Sequence, residues 1–485
     1  MNITGLIFLL VAHFLCGKGV LKLFGLMLRP VQIFCLSLMI GVPVVSLAPC
    51  FLQLMHFPLT SGSMYVSISL LTAILASPLV IRYKKPQLGK LILPQLYELP
   101  FIAIFFFLIV LSIWRCFYLP PQARDMLAGP ELLAEFAVRE KNMISSVFTI
   151  DLSTTNNQFK SPFITCLQII YKLLVAPLGQ LWLSILFLPF IIFIYTMLRD
   201  RIHPVLAGML LLIYFAIPDL YAYTYLMLYD YSNMVFFFCG FYFLSQYLET
   251  KKANELAWTA FLFALATYIR TETLVLVVMT TPLLVFSFYK QKVPFKDIAI
   301  RSFIFVIGSV LAYFICSAVF VRSFIPLHFS VGEVMNRYLG DVSALFLRLK
   351  EISTLLIFSE RAEIFYAYYI YIFCAILVID VIWPRKYNHE ARVALYGIVV
   401  VYVGLALLGY LLPNVDLLNT TKRGLFKGLI LALWYMSNSG FLQKISDWMT
   451  AYENGIRDSR AGDAENKPVA QPVQPKMKGG TRKAK

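Results

Sequence analysis

The sequence predicts an all-α protein, a polytopic bundle of transmembrane helices, and three observations carry that expectation. Of its 485 residues, 60% are hydrophobic and only 14% are charged, against roughly 45–50% and 25% in a soluble domain. Its mean hydropathy is +0.75. The apolar residues recur in blocks of about 20, the length that spans hydrocarbon as a helix. One oversized core does not explain them, because single cores stop growing near roughly 250–300 residues. A helix satisfies its own backbone hydrogen bonds in lipid. A membrane barrel needs alternating segments of about 10 residues, and these blocks are continuous.

A window of roughly 19 residues marks thirteen spans, near 3–17, 31–55, 63–81, 99–118, 174–197, 204–226, 232–248, 255–270, 272–288, 302–321, 363–382, 393–412 and 424–440. Residues 255–288 read equally as one bent hairpin. The first block has Lys18 and Lys22 after it rather than before it and no clear small-residue cleavage site, so it reads as a retained span and not a signal peptide.

Orientation follows from Lys and Arg on short loops. With thirteen spans, one side receives Lys18, Lys22 and Arg29; Arg82, Lys84, Lys85 and Lys90; Arg199 and Arg201; Lys251 and Lys252; Lys290, Lys292, Lys296 and Arg301; and Arg385, Lys386 and Arg392. The other side has two long loops, 119–173 and 322–362, in which acids and bases nearly balance. The basic side is expected to be cytoplasmic, with the N-terminus outside and the tail 441–485 inside. From about residue 455 the tail is rich in Pro, Ala, Gln and Lys and is expected to be disordered. The net charge of +16 sits in these loops, so it argues for a membrane partner and against nucleic acid. The eight cysteines are scattered, with no Cys-x-x-Cys pair, which supports neither a zinc site nor a disulfide framework.

Charges at membrane depth or at its edge default to functional hypotheses, and four clusters qualify. Asp125 follows the fourth span after Pro120 and Pro121. It reads as a catalytic carboxylate at the membrane surface, or as a helix cap or partner of Arg124. The stretch after it reads as an amphipathic helix on the outer leaflet, with Leu132, Leu133, Phe136, Ala137 and Met143 on one face and Glu131, Glu135, Arg139 and Glu140 towards water. Asp230 lies in a short tyrosine-rich turn, and Asp219 one to two turns deeper, after Pro218. An aromatic interface belt explains the tyrosines better than it explains the acids. Arg270 and Glu272 interrupt a long apolar stretch, as an outer hairpin or as an anion site. Lys422 and Arg423 precede the last span on the side where basic residues are disfavoured, as snorkelling anchors or as a grip on phosphate. All four clusters fall on the outer face, which suits an amphiphilic phosphate-bearing substrate.

In order and topology, residues 98–440 resemble the GT-C superfamily of polytopic glycosyltransferases, including the dolichyl-phosphate-mannose protein mannosyltransferases and aminoarabinose transferases. The matching positions are Asp125 near the start of the first long outer loop, juxtamembrane helices at 127–147 and 160–173, and Asp230 in YDYSN at the start of a later span. They continue with Arg270 in ALATYIRTETLVLV, and with Arg423 or Lys422 in TTKRGLFKG. Three additional spans, in 1–97, precede the resemblance, and Asp125 has no acidic neighbour where the family often has a pair. The resemblance implies transfer of a sugar from a polyprenyl-phosphate donor to a lipid, glycan or protein acceptor on the extracytoplasmic face, with inversion. Asp125 would be the base, and Asp230 would orient the acceptor or hold a divalent metal. Arg270, Glu272, Lys422, Arg423 and Asp219 would form the substrate site. Lacking a large soluble domain or a clear retention signal, the chain is expected in a bacterial inner membrane. The rival readings are a transporter or lipid flippase and an O-antigen ligase or polymerase. The transferase reading requires residues 125, 230, 270 and 423 to be neighbours.

Overall fold

The computed structural model describes residues 2–81, 94–120, 125, 127–149, 160–175, 179–316, 342–382, 388–412 and 416–465. The basic residues Arg82, Lys84, Lys85, Lys90, Arg385 and Lys386, the neighbour Arg124, residues 322–341 of the second long loop and the tail beyond 465 lie outside them.

Every secondary-structure element among the described residues is helical. The chain runs through α1 (Ile3–Phe24), α2 (Pro30–Val45), α3 (Ala48–Leu54), α4 (Ser61–Ile81), α5 (Leu99–Tyr118), α6 (Leu132–Glu140), α7 (Phe163–Leu174), α8 (Trp182–Arg199), α9 (Pro204–Phe215) and α10 (Tyr229–Thr250). It continues through α11 (Ala253–Ile269), α12 (Thr273–Lys290), α13 (Phe295–Phe314), α14 (Val342–Glu351), α15 (Tyr369–Ile382), α16 (His389–Leu411), α17 (Phe426–Ser437) and α18 (Gly440–Glu465). Among the described residues, eight helices are long and apolar enough to cross a membrane. A ninth is added if the pair Glu360–Tyr366 and α15, bent by 102° at its break, counts as one span. This is the architecture of a multi-pass membrane protein, with fewer qualifying helices than the thirteen expected spans.

Shortened helices account for part of the difference, and other blocks keep a qualifying helix but change in extent or continuity. Pro43 and Pro49 flank a break at Ser46–Leu47, so block 31–55, which still counts as one qualifying helix, is α2 plus α3. The block at 174–197 is instead α8, starting at Trp182, while α7 ends at Leu174; Gly179, at φ 61°, turns the chain between them. Block 204–226 stops at Phe215 and restarts at Pro218 for a single turn. Residues 255–288 are two helices, α11 and α12, which meet at Arg270–Glu272. The last block shortens to α17, and α13 begins earlier than expected, at Phe295.

Burial separates lipid-facing from interior helices. On α4 and α5, Val66, Leu70, Ile74, Phe106 and Phe107 are exposed, an apolar surface beyond what a soluble monomer presents and the natural partner of acyl chains. In contrast, α10 is buried along nearly its whole length. Its Tyr231, Ser232, Asn233, Tyr242 and Ser245 lower its hydropathy, because this helix faces protein rather than lipid.

Ion pairs fasten one end of the bundle. Arg29 at the start of α2 meets Asp200 after α8 at 2.5 Å. Arg199 and the Tyr195 hydroxyl reach the buried Glu98 at 2.8 and 2.6 Å. Arg201 makes a two-pronged bond to Glu390 at 2.5 and 2.6 Å, and the Trp434 indole donates to the same carboxylate at 3.0 Å. The helix α18 docks here through His203–Glu453 at 3.3 Å. Residues 455–465 are therefore helical where the composition suggests disorder. The stripe of Phe441, Leu442 and Ile445, which packs against the core, anchors the start of that helix.

The helices α1 and α2 cross closely. A Cβ at Gly17 would collide with the Ser37 carbonyl, and one at Gly41 with the His13 carbonyl. Small residues allow such backbone approach in lipid. Gly41→Leu should therefore part the two helices and cost about 1–3 kcal/mol, read as a lower thermal midpoint in detergent. Gly62→Leu, where the site is open, should leave the midpoint unchanged.

Candidate functional site

The break between α11 and α12 is the starting point. Arg270 leaves the helix with φ −145° and ψ 109°, and its amide still bonds the Ala266 carbonyl at 3.0 Å. One turn into α10, the Asn233 amide donates to the Ala266 carbonyl at 2.6 Å and to the Thr273 hydroxyl at 2.9 Å. It thus clamps the last turn of α11 to the first turn of α12. Three residues earlier, Asp230 takes the Arg270 guanidinium in an ion pair. Asp230 is 4% exposed and lies in the first turn of α10, where the helix dipole favours a negative charge. Glu272 accepts from Arg270 Nε at 3.2 Å.

Two further pairs complete the cluster. Arg423 Nη1 donates to Asp125 Oδ2 at 3.0 Å, joining two segments 298 residues apart. Lys422 Nζ lies 2.8 Å from Asp219 Oδ2 and 4.1 Å from the Phe365 ring centroid, while the Tyr366 hydroxyl donates to the Lys422 carbonyl at 3.0 Å. Ala367, just after Tyr366, holds the left-handed φ of 50° at the 102° break, a costly conformation for a residue with a Cβ. Tyr223 packs edge-on against Phe426 at 5.1 Å. It lies within electrostatic reach of Arg423, Asp230, Asp219 and Asp125. Burial lowers the pKa of Arg423, but Tyr223, Asp230 and Asp125 more than reverse this and leave it raised. Arg423 therefore remains a fixed cation.

All seven residues singled out in the sequence thus meet at one end of the bundle. The basic residues Lys251, Lys252 and Lys290 occupy the opposite ends of the same helices. Asp125 is paired with Arg423; its neighbour Arg124 lies outside the described residues. Sequence reasoning missed Asn233, Tyr223, Lys160 and Lys427. Lys427 was detectable as a lysine inside an expected span, one turn after Arg423 on the same helical face.

The juxtamembrane segment differs from its expected form. The helix α6 buries Leu133, Ala134 and Ala137, with Met143 buried after it. Glu131 and Glu135 do not simply face water: Lys172 on α7 holds both, at 2.6 and 3.0 Å. Burial pushes the Glu131 carboxyl up against the pull of Lys172, and Lys172 draws Glu135 down. The triad fixes α6 across α7 beside the site.

Among the described residues no group of three or more His, Cys, Asp or Glu is placed to hold a metal ion. The four acids each face a cation instead. This donor set does not fit a divalent metal at Asp230, one of the two parts the resemblance implied for that residue. No family model matches the chain, nor does any curated protein or solved structure.

Asp230→Asn removes the main partner of a mostly buried guanidinium and should destabilise the protein by about 3 kcal/mol. Asp230→Asn combined with Arg270→Gln should recover part of that loss. Thermal unfolding of the three variants checks this, and a single variant as stable as the parent protein would contradict it.

Proposed function

We propose that the protein is a GT-C-type glycosyltransferase that moves a sugar from a polyprenyl-phosphate donor to an acceptor, inverting the anomeric carbon. The observation that carries this reading is the gathering of Asp125, Asp230, Arg270, Lys422 and Arg423 from four separate stretches of chain at one end of the bundle.

The two central acids differ in the way transfer needs. Asp125 is 40% exposed and held at one oxygen by Arg423; no described residue bonds its other oxygen, which would take a proton from an acceptor hydroxyl. As that O–H bond breaks, the acceptor oxygen bonds the anomeric carbon from the face opposite the phosphate. The bond from that carbon to the phosphate oxygen breaks, and the electron pair leaves with the polyprenyl phosphate. A phosphate is already a good leaving group, so the site needs to neutralise charge rather than supply an acid, and fixed cations do this. Asp230 is nearly inaccessible behind Arg270; its part is to hold that guanidinium in place, and Glu272 and Asp219 do the same for Arg270 and Lys422.

The reading includes thirteen traverses, a cytoplasmic basic end and a bacterial inner membrane, with the N-terminus outside and the tail inside. The alternation of successive helices between the site end and the basic-loop end supports the count. The helices missing from the apolar tally are short or, like α10, screened from lipid.

Incubation of the purified chain with a labelled polyprenyl-phosphate sugar tests the function. Release of free polyprenyl phosphate supports transfer, and movement of intact donor across a vesicle membrane without cleavage supports a carrier instead. Asp125→Asn should lower turnover by about 10²–10⁴-fold while the protein still inserts and folds. Near-normal turnover would remove Asp125 from the role of base.

A further inference from the structure

Among the described residues, the charges of the cluster do not balance. Asp125, Asp219, Asp230 and Glu272 supply four negative charges. Arg270, Lys422, Arg423, Lys160 and Lys427 supply five positive ones. The first three cations each grip an acid. Lys160 and Lys427 make no hydrogen bond or ion pair with any described residue.

Lys427 is only 3% exposed. It lies in the first turn of α17, four residues after Arg423, and its ammonium is within electrostatic reach of Arg270, Asp230 and Glu272. Lys160 is exposed and precedes α7. Its ammonium sits 5.9 Å from the Tyr229 ring, whose hydroxyl donates to the Ser161 carbonyl at 2.8 Å. It reaches the same three groups, and Asp125 as well. One lysine is thus enclosed and one open: Lys160 lies over Tyr229, the residue before Asp230, and Lys427 is buried one turn after Arg423, both within electrostatic reach of Arg270, Asp230 and Glu272.

A snorkelling lysine would carry its ammonium to water, and the burial of Lys427 speaks against that. A counter-ion for Asp230 and Glu272 would lie against them, and Arg270 already occupies that place. A buried ammonium without a close acid is costly unless an anion completes it. We propose that Lys427 and Lys160, with Arg270 behind them, form a seat for a single phosphate group bearing one net negative charge. Three ammonium protons suit phosphate oxygens as a compact point charge. The one-charge surplus among the described residues matches the phosphodiester of a polyprenyl-phosphate sugar, which carries a single negative charge, better than a diphosphate.

The seat deepens the transferase reading, which supplies the identity of the phosphate as that of the lipid-linked donor. The same chemistry would admit free phosphate, and the test separates the two sources. Full-length protein in nanodiscs is titrated with decaprenyl phosphate, decaprenyl diphosphate and inorganic phosphate, with binding read by native mass spectrometry. Decaprenyl phosphate should bind more tightly than the diphosphate. Lys427→Met should weaken it about ten- to a hundredfold, the worth of one charged hydrogen bond. Lys160→Met should weaken it less, and Lys427→Arg should retain most of it.

Lysine-dependent binding of inorganic phosphate alone would assign the seat to free phosphate. Lysine-dependent binding of decaprenyl phosphate by a protein that transfers no sugar would keep the seat and remove the transferase reading. Parent-level affinity in a monodisperse Lys427→Met protein would overturn the seat even if transfer persisted. If that variant does not fold, parent-level affinity in Lys160→Met overturns it instead.

Discussion

The ion pair between Asp230 and Arg270 is the constraint on which the rest of the site depends. It joins the start of α10, a helix buried along nearly its whole length, to the point where α11 ends and α12 begins. A charge pair this poorly exposed carries a large desolvation penalty, and the local structure offsets it in three ways. The first turn of α10 favours the carboxylate. Glu272 shares the guanidinium. Asn233 holds the Ala266 carbonyl and the Thr273 hydroxyl so that the helix break cannot drift. Once this pair is set, the aromatic turn between α9 and α10 and the approach to α17 have one place to pack.

Around that fixed pair the site divides its labour by exposure. Asp230 is locked and screened, and Asp125 is reachable. Arg423 links the segment after α5 to the start of α17, and Lys422 links the same start to Asp219. A change at either basic residue would therefore loosen a loop as well as remove a charge. Under the proposed reaction the cations face the departing phosphate, and the open carboxylate faces the acceptor. Among the four acids of the cluster, Asp125 is the most exposed and is held by Arg423 at one oxygen.

Much of this was legible in the sequence, for reasons of physics that also set its limits. Hydrophobic length alone marked the positions of α1, α4, α5, α12 and α16, because lipid-facing helices must be apolar throughout. Length misjudged α8 and α9, where Gly179 and Pro218 lie close to the breaks. It could not weigh α10, whose tyrosines, serines and asparagine are tolerated only because protein surrounds them. Charge in apolar surroundings identified Asp125, Asp219, Asp230, Arg270, Glu272, Lys422 and Arg423, because such charges are kept only for a reason. The pairing of those charges was not legible, since Asp125 and Arg423 are 298 residues apart. The amphipathic pattern placed the apolar face of α6 correctly but sent Glu131 and Glu135 to water, because the pattern of one helix carries no information about Lys172 on another.

The most direct test of the central claim is a cryo-electron microscopy map of the full chain in nanodiscs with decaprenyl phosphate bound. The account predicts a phosphate at the α10–α11–α17 end, within hydrogen-bond reach of Lys427, with the Asp230–Arg270 pair intact and Asp125 on the same cleft. A phosphate bound at the opposite, Arg201–Glu390 end, or a map in which Asp125 and Asp230 line separate surfaces, would contradict it.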